Sequence, residues 1–272
     1  MIALVTETLS CMSPADCSLY GVILQPLHCT IDGLTEIDRV MEGERMLSGG
    51  DACSIPPSEE AYCARFGSLL ENHDGIICIT ASGKFSLSHR NALRAAAGFD
   101  GRVMVMDSGT VAGGLFLLVL RARHMVTLGY PMSRIKGELE AYRNTLRVSF
   151  TTKDIRMIEK AKRLRGRLPE AADGSSKHPI FRIENGEIRV NSFAEGSRPI
   201  ADNLLSVFAD PRTPNRRPPS RIVVHYANRS ETVACLLRLI GELYPSATVY
   251  ERPITLSIQV NLGYDILGVV GD

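Results

Sequence analysis

The chain has 272 residues, long for one domain and ordinary for two that each bury a core. Its 31 lysines and arginines face 30 acidic residues, a net charge of +1, so no global field draws in nucleic acid or an anionic membrane surface. Seven cysteines (Cys11, Cys17, Cys29, Cys53, Cys63, Cys78 and Cys235) form an odd set without C-x-x-C spacing, which argues against a disulfide framework and against a zinc ribbon.

In chain order, Met1 leads into an apolar run over residues 2–5 that is too short, and lacks the basic flank, for a secretion signal. No run approaches the ~20 apolar residues of a membrane span, so a cytoplasmic protein without integral membrane contact is expected. Short apolar runs at 2–5, 22–31, 75–80 and 103–107 read as buried parallel strands. Longer segments with helical spacing follow at 58–73, 86–97, 110–128 and 133–145. The alternation predicts a doubly wound α/β domain over residues 1–150. Ser58, ahead of Glu59-Glu60-Ala61, is a candidate N-cap, and Pro131 opens a helix after the stop at Gly129. Residues 113–120 are apolar on nearly every side and predict a core helix.

After about Val148 the pattern changes, and a second α/β domain is expected over 151–272. Its predicted elements are a basic helix at 153–167 and a hairpin in which Asn185-Gly186 joins 180–183 to 187–190. A helix near 199–209 follows, then an exposed Pro/Arg-rich connection at 211–219, a strand at 221–226, a helix at 231–243, and strands at 247–252 and 266–270.

Common catalytic patterns fail at residue types their chemistry requires: there is no Walker lysine loop, G-x-S-x-G elbow or H-E-x-x-H. Gly109-Thr110-Val111-Ala112-Gly113-Gly114 follows a strand but lacks G-x-G-x-x-G spacing, and helix packing explains it better. The six histidines are scattered singly, without the i, i+4 pairing of a metal site. Residues 82–88, Ser-Gly-Lys-Phe-Ser-Leu-Ser, lie where a strand ends and a helix begins. Their backbone N–H groups and hydroxyls suit either an anion or simple helix capping.

A resemblance becomes specific when whole blocks are compared. Ile2-Ala3-Leu4-Val5-Thr6-Glu7, and the stretch from Tyr20 to Gly33, YGVILQPLHCTIDG, are similar to the opening strands of DegV proteins, roughly I-A-[IVL]-V-T-D-S and Y-x-I-x-V-V-P-L-x-V-x-[IF]-D-G. Cys53-Ser54-Ile55-Pro56 then stands at T-S-Q-P, residues 82–92 at S-S-x-[LI]-S-G-[ST]-Y-x-S-A, and Val105-Met106-Asp107-Ser108 at V-x-D-S. Residues 155–164 stand at L-E-Y-L-x-K-G-G-R-I, His178-Pro179-Ile180-Phe181 at K-P-[IV]-L, and residues 262–268 at V-G-P-G-[AG]-L-G. The order holds across nearly the whole chain.

The resemblance implies a parallel-sheet N-terminal α/β domain, a mixed-sheet C-terminal α/β domain, and an internal tunnel between or beside them. In such proteins a long-chain fatty acid lies in the tunnel, hydroxyls near its mouth hold the carboxylate, and a separate fatty acid kinase phosphorylates it to an acyl phosphate. The binder needs no cofactor and is not itself an enzyme. The head-group region maps onto Cys53, Ser54, Ser82, Gly83, Ser86, Asn261 and Gly263, and Arg163, the retained arginine of G-G-R, onto a partner or phosphate contact.

This sequence departs from the family at those donors. Ala52 and Cys53 replace threonines, Gly83 replaces a serine, and Asn261 replaces a histidine. Two readings follow. Either backbone N–H groups of 82–86, with Ser54, Ser86 and Asn261, hold a fatty acid carboxylate, or the site has drifted towards another amphipathic ligand that the protein carries or senses without a kinase. A third, enzymatic reading makes Ser54 or Ser86 a nucleophile and requires a histidine base beside it.

Overall fold

In a computed structural model, the structure describes residues 1–40, 52–153, 158, 177–184, 186–209, 217–263 and 265–272. They fall into two compact units, the first comprising described residues up to 144 together with 255–257, and the second the remainder from 145 onward.

The first unit is built on a four-stranded parallel sheet of β1 (Ile2–Glu7), β2 (Val22–Gln25), β6 (Gly75–Thr80) and β7 (Val103–Asp107), in the order β2-β1-β6-β7. All residues of β6 are buried, as its unbroken apolar run requires of a strand covered on both faces. On one face Ala3, Val5, Ile76, Cys78 and Val103 pack against Tyr62 and Phe66 of α2 (Glu59–Leu70) and Ala92 and Ala95 of α3 (Ser88–Ala96). The other face carries α4 (Gly113–Thr127), itself covered by α5 (Met132–Arg143). Helix α1 (Pro14–Tyr20) connects β1 to β2 and starts from a capping box between Ser13 and Asp16. Ser58 caps α2 as expected, accepting the Ala61 amide at 3.2 Å.

The core helix α4 enters over a strained residue. Ala112 has φ 51°, held there by its amide's bond to the Leu9 carbonyl and by its own carbonyl's bond from the Phe116 amide, both 2.8 Å. Two residues on, a Cβ at Gly114 would lie 2.5 Å from Thr110 Cγ2 and 2.6 Å from its Oγ1. Gly114→Ala is therefore expected to destabilise the protein by about 1–3 kcal/mol through overpacking, against the helix-propensity gain an alanine ordinarily brings. Urea unfolding measures the balance.

Residues 22–31, read from sequence as one strand, are two strands in different sheets. Pro26 has no amide to continue the ladder, and the Leu27 amide turns to Thr8 Oγ1 at 3.2 Å. Beyond this break, β3 (His28–Ile31) joins β4 (Leu34–Ile37) and β5 (Ala52–Ile55) in a three-stranded antiparallel sheet ordered β4-β3-β5.

The second unit holds a six-stranded mixed sheet. In chain order its strands are β8 (Arg147–Thr151), β9 (His178–Glu184), β10 (Glu187–Ala194), β11 (Arg221–Tyr226), β12 (Thr248–Pro253) and β13 (Leu267–Gly271). They are ordered β10-β9-β8-β13-β11-β12, and β11 with β12 is the parallel pair. Ile222, Val224, Tyr226, Leu267 and Val269 form a core with α6 (Ser197–Leu205) and α7 (Glu231–Leu243) on one face. Alternation sends Val148, Phe150, Phe181, Val223, His225 and Val270 to the other face, and these too are buried. Helix α8 (Leu256–Leu262), not anticipated from the sequence, begins among residues grouped with the first unit. The predicted basic helix at 153–167, with Arg163, lies outside the described residues apart from Lys153 and Ile158, as does Asn185 of the hairpin turn.

Candidate functional site

In the first unit, β1 connects towards β2 on one side while β6 connects towards β7 on the other. The strand order reverses between β1 and β6, and open α/β sheets bind ligands beyond the carboxyl ends of strands at such a switch point. Glu7 ends β1, Thr80 ends β6 and Asp107 ends β7, so three polar side chains meet this edge.

The loop after β6 is closed on itself. The Ser82 amide donates to the Thr110 carbonyl at 2.9 Å, Gly83 to Asp107 Oδ2 at 3.1 Å, and Lys84 to Ser82 Oγ at 3.3 Å. Phe85 and Ser86 both donate to the Ser82 carbonyl, at 2.8 and 3.0 Å. In the loop as folded, each of these amides has an internal acceptor. Ser86 Oγ accepts the Ser88 amide at 3.2 Å and lies 2.9 Å from Ser88 Oγ, a helix-start arrangement. Ser82 differs: it is buried, its oxygen accepts the Lys84 amide, and its own proton has no acceptor among the described residues. Asp107 ties this loop to the next, since its Oδ1 accepts the Gly109 amide at 2.7 Å while Arg143 donates to its carbonyl at 3.0 Å.

Beneath the loop lies Glu7, completely buried. Tyr62 donates its hydroxyl to Oε1 at 2.8 Å and the Ala81 amide donates to Oε2 at 3.2 Å. Burial pushes the Glu7 carboxyl up to about 7; the donors Tyr62, Ala81 and Ser88 pull the other way, and the Asp107 charge adds to the rise. Burial, with Glu7 beside it, likewise raises Tyr62 well above the usual phenol range, so it remains a donor. Thr80 reaches His89 Nδ1 at 3.0 Å. Among the described residues, His73 Nδ1 lies 2.9 Å from the Leu69 carbonyl and His225 Nδ1 3.0 Å from the Arg252 carbonyl, so the histidine contacts seen here, with that of His89, are to groups other than serine hydroxyls.

Cys53 and Ser54 leave β5 on opposite faces. Ser54 pairs with Cys29, and Cys53 with Thr30, whose Oγ1 lies 3.0 Å from Thr35 Oγ1 on that second face. Cys53 is exposed, whereas Ser54 is half-buried on the inner face beside fully buried Cys29, whose sulfur sits 3.2 Å from Ser257 Oγ. The two side chains therefore do not converge on one ligand atom. In the second unit Asn261 is half-buried near the end of α8. Gly263, at φ 101°, closes that helix by donating its amide to the Gln259 carbonyl at 2.8 Å.

A family model described as an uncharacterised protein, DegV family, matches residues 1–271. The chain belongs to the DegV family. A DegV domain-containing protein of Deinococcus radiodurans is 32% identical over 177 residues, spanning 63% of this chain and 62% of that protein. Among solved structures, a DegV family protein from Thermus thermophilus, described by its fatty acid binding, superposes with a TM-score of 0.85 at 23% identity, covering 99% of this chain and 98% of that one. A stearic acid-binding protein from Eubacterium ventriosum superposes with a TM-score of 0.86 at 18% identity, covering 99% and 97%. This DegV chain thus has the fold of those proteins.

Glu7 and Tyr62 are the members of the site that sequence reasoning left out. Glu7 did carry a signal: an acidic residue ending an otherwise apolar buried strand, at the position where DegV chains carry aspartate. Tyr62 gave none, because an aromatic residue on the inner face of an amphipathic helix reads as core.

Proposed function

We propose that this DegV-family chain binds a long-chain fatty acid and presents its carboxylate to a partner kinase for conversion to an acyl phosphate. The observation that carries the reading is the family match over residues 1–271, in a family whose solved members include proteins described as binding fatty acids. The chemistry of the switch point agrees with it. Ser82 offers a buried hydroxyl with a proton to donate. An acyl chain supplies affinity at about 0.8 kcal/mol per buried CH₂, so a few hydroxyl donors at the carboxylate suffice. In this reading Ser82 and Ser54 hold the head group, and Arg163 meets the partner or the product phosphate.

Delipidated protein reloaded with stearate and analysed by native mass spectrometry is expected to carry one acyl chain. Ser82→Ala and Ser54→Ala are each expected to weaken retention about three- to tenfold, the range of a single neutral hydrogen bond. With a fatty acid kinase, ATP and hydroxylamine, the loaded protein is expected to yield an acyl hydroxamate. No bound lipid after reloading overturns the reading as a whole. Bound lipid without hydroxamate confines the protein to carriage or sensing, the role that loss of the family's threonine at Cys53 and histidine at Asn261 favours.

A further inference from the structure

The amides of the loop after β6 are engaged within the first unit, so a head group at this edge is left to side chains. His89, in the first turn of α3, is placed to be one of them. It stands at the tyrosine of the family motif over residues 82–92, and Gly83 stands at that motif's second serine. The two departures meet in space. A Cβ on Gly83 would lie 3.4 Å from His89 Cδ2 and 3.2 Å from Asp107 Oδ2, so the side of Gly83 that a side chain would fill is bordered by the imidazole and by that carboxylate. Gly83 is exposed, and as glycine it leaves the ring's edge uncovered there. Nε2 is the ring atom bonded to Cδ2.

His89 is half-buried and bonded on one side of its ring. Nδ1 lies 3.0 Å from Oγ1 of buried Thr80, whose hydroxyl is also 3.3 Å from the Met106 carbonyl. Nε2 has no hydrogen-bond partner among the described residues and is reached by solvent. When Thr80 gives its proton to Nδ1, the nearer acceptor, the neutral ring carries its own proton on Nε2 and presents a donor to whatever lies over Gly83. The charges around it admit an anion. Asp107 is the negative neighbour, but its Oδ2 accepts the Gly83 amide at 3.1 Å, its Oδ1 accepts the Gly109 amide at 2.7 Å, and Arg143 donates to its carbonyl at 3.0 Å. Lys84 and Arg90, exposed and next in the chain to Gly83 and His89, add positive charge. Glu7 lies beneath, fully buried and bonded to Tyr62 and the Ala81 amide.

Resting on the fatty-acid reading above, we propose that His89 is a head-group-binding residue in this chain: its Nε2–H, oriented by Thr80, donates to the ligand carboxylate over Gly83 and so favours a carboxylate over an end that cannot accept a hydrogen bond. The two positions act together. A side chain at position 83 would stand between the carboxylate and the ring, so glycine there opens the approach that histidine at 89 uses.

The test compares delipidated protein binding stearate with the same protein binding octadecane, which has the chain and no head group. His89→Phe is expected to weaken stearate about tenfold, the low end for a hydrogen bond to a charged group, and to leave octadecane within about twofold. His89→Gln, which keeps an N–H near the place of Nε2, is expected to recover most of that loss. Gly83→Ala, which covers the ring's edge and leaves the imidazole in place, is expected to weaken stearate alone. In wild-type protein, independently of any variant, the imidazole ¹⁵N resonance of His89 Nε2 is expected to move on adding stearate and not on adding octadecane. Unchanged stearate affinity in His89→Phe, equal loss of both ligands, as a merely structural ring would give, or an unmoved Nε2 resonance overturns the proposal and leaves fatty-acid binding standing. Failure of the wild-type protein to bind stearate overturns both.

Discussion

Glu7→Gln is expected to raise stability above pH 7 by about 1–3 kcal/mol and to remove a pH dependence that the wild-type protein shows between pH 4.5 and 7. The carboxyl moves from an ordinary 4.5 in the unfolded chain to about 7 in the fold. Each factor of ten in acidity is worth ~1.4 kcal/mol, so ionising Glu7 in place costs about 3 kcal/mol. The folded state holds the proton more tightly. Below pH 4.5 both states are protonated and no cost is felt; as pH rises from 4.5 to 7 the unfolded chain releases its proton first and stability falls; above 7 the full loss is in place. Glutamine keeps a carbonyl for the Tyr62 hydroxyl or the Ala81 amide but has no charge to desolvate, and the bond it forgoes accounts for the lower end of the range. His225 acts in the opposite sense in the other unit. Its pKa falls from 6.5 to about 4, so its contribution is lost as pH drops through that interval. Hydrogen exchange of β1 and β6 amides at pH 5 and pH 8, compared between variant and wild type, isolates the Glu7 effect. An identical pH slope in both proteins would rule it out.

The same carboxyl bears on ligand binding. On the fatty-acid reading proposed above, a head group at this strand edge would face the charges of Glu7 and Asp107, and a proton on Glu7 would lessen the repulsion. Family members carry aspartate at this position, one CH₂ shorter. Glutamate reaches further under the loop, to Tyr62 Oη and the Ala81 amide together.

How much of this was legible in the sequence varies from element to element, for physical reasons. The strand Gly75–Thr80 and the helix Glu231–Leu243 coincide with their expected bounds, the first because both its faces are buried and the second because Ser230 caps it and a polar face runs opposite Val233, Leu236, Leu239 and Ile240. The run at 22–31 misled because hydrophobicity continues across Pro26 while hydrogen bonding does not. Arg147–Thr151 went unread as a strand because its buried positions include an arginine, a serine and a threonine, each bonded to backbone carbonyls beyond the reach of local pattern. Helix α8 is short, and Gly263 after it resembled the start of a glycine-rich segment more than a helix stop. At the site, the serines were visible as types, but what they can bind depends on which amides and hydroxyls are already engaged. That is settled by contacts such as Ser82 to Thr110 and Gly83 to Asp107, which join two loops that the intervening helix α3 and strand β7 hold far apart in the chain.

Asp38→Ala is expected to destabilise the first unit by about 3–5 kcal/mol, and Asp38→Asn by distinctly less. Asp38 is 1% exposed and ends the segment after β4. The Thr8 hydroxyl donates to its Oδ2 at 2.6 Å, and the Ser257 amide, from a position 219 residues away, donates to its Oδ1 at 2.8 Å. Thr8 Oγ1 also accepts the Leu27 amide, and the Asp38 amide returns to the Leu27 carbonyl at 2.9 Å. One side chain thus joins the end of β1, the turn at Pro26 and the first turn of α8, whose amides have no intrahelical acceptors of their own. Alanine leaves the Thr8 hydroxyl and the Ser257 amide buried without acceptors, the costly side of hydrogen-bond deletion. Burial raises the Asp38 pKa despite its donors, which shows that the fold tolerates the charge more than it exploits it. Asparagine is neutral and retains one acceptor, so it forgoes one bond and avoids the desolvation of a carboxylate. Urea midpoints of the two variants decide between these roles: equal losses would mean that the charge, and not the pair of hydrogen bonds, anchors the start of α8.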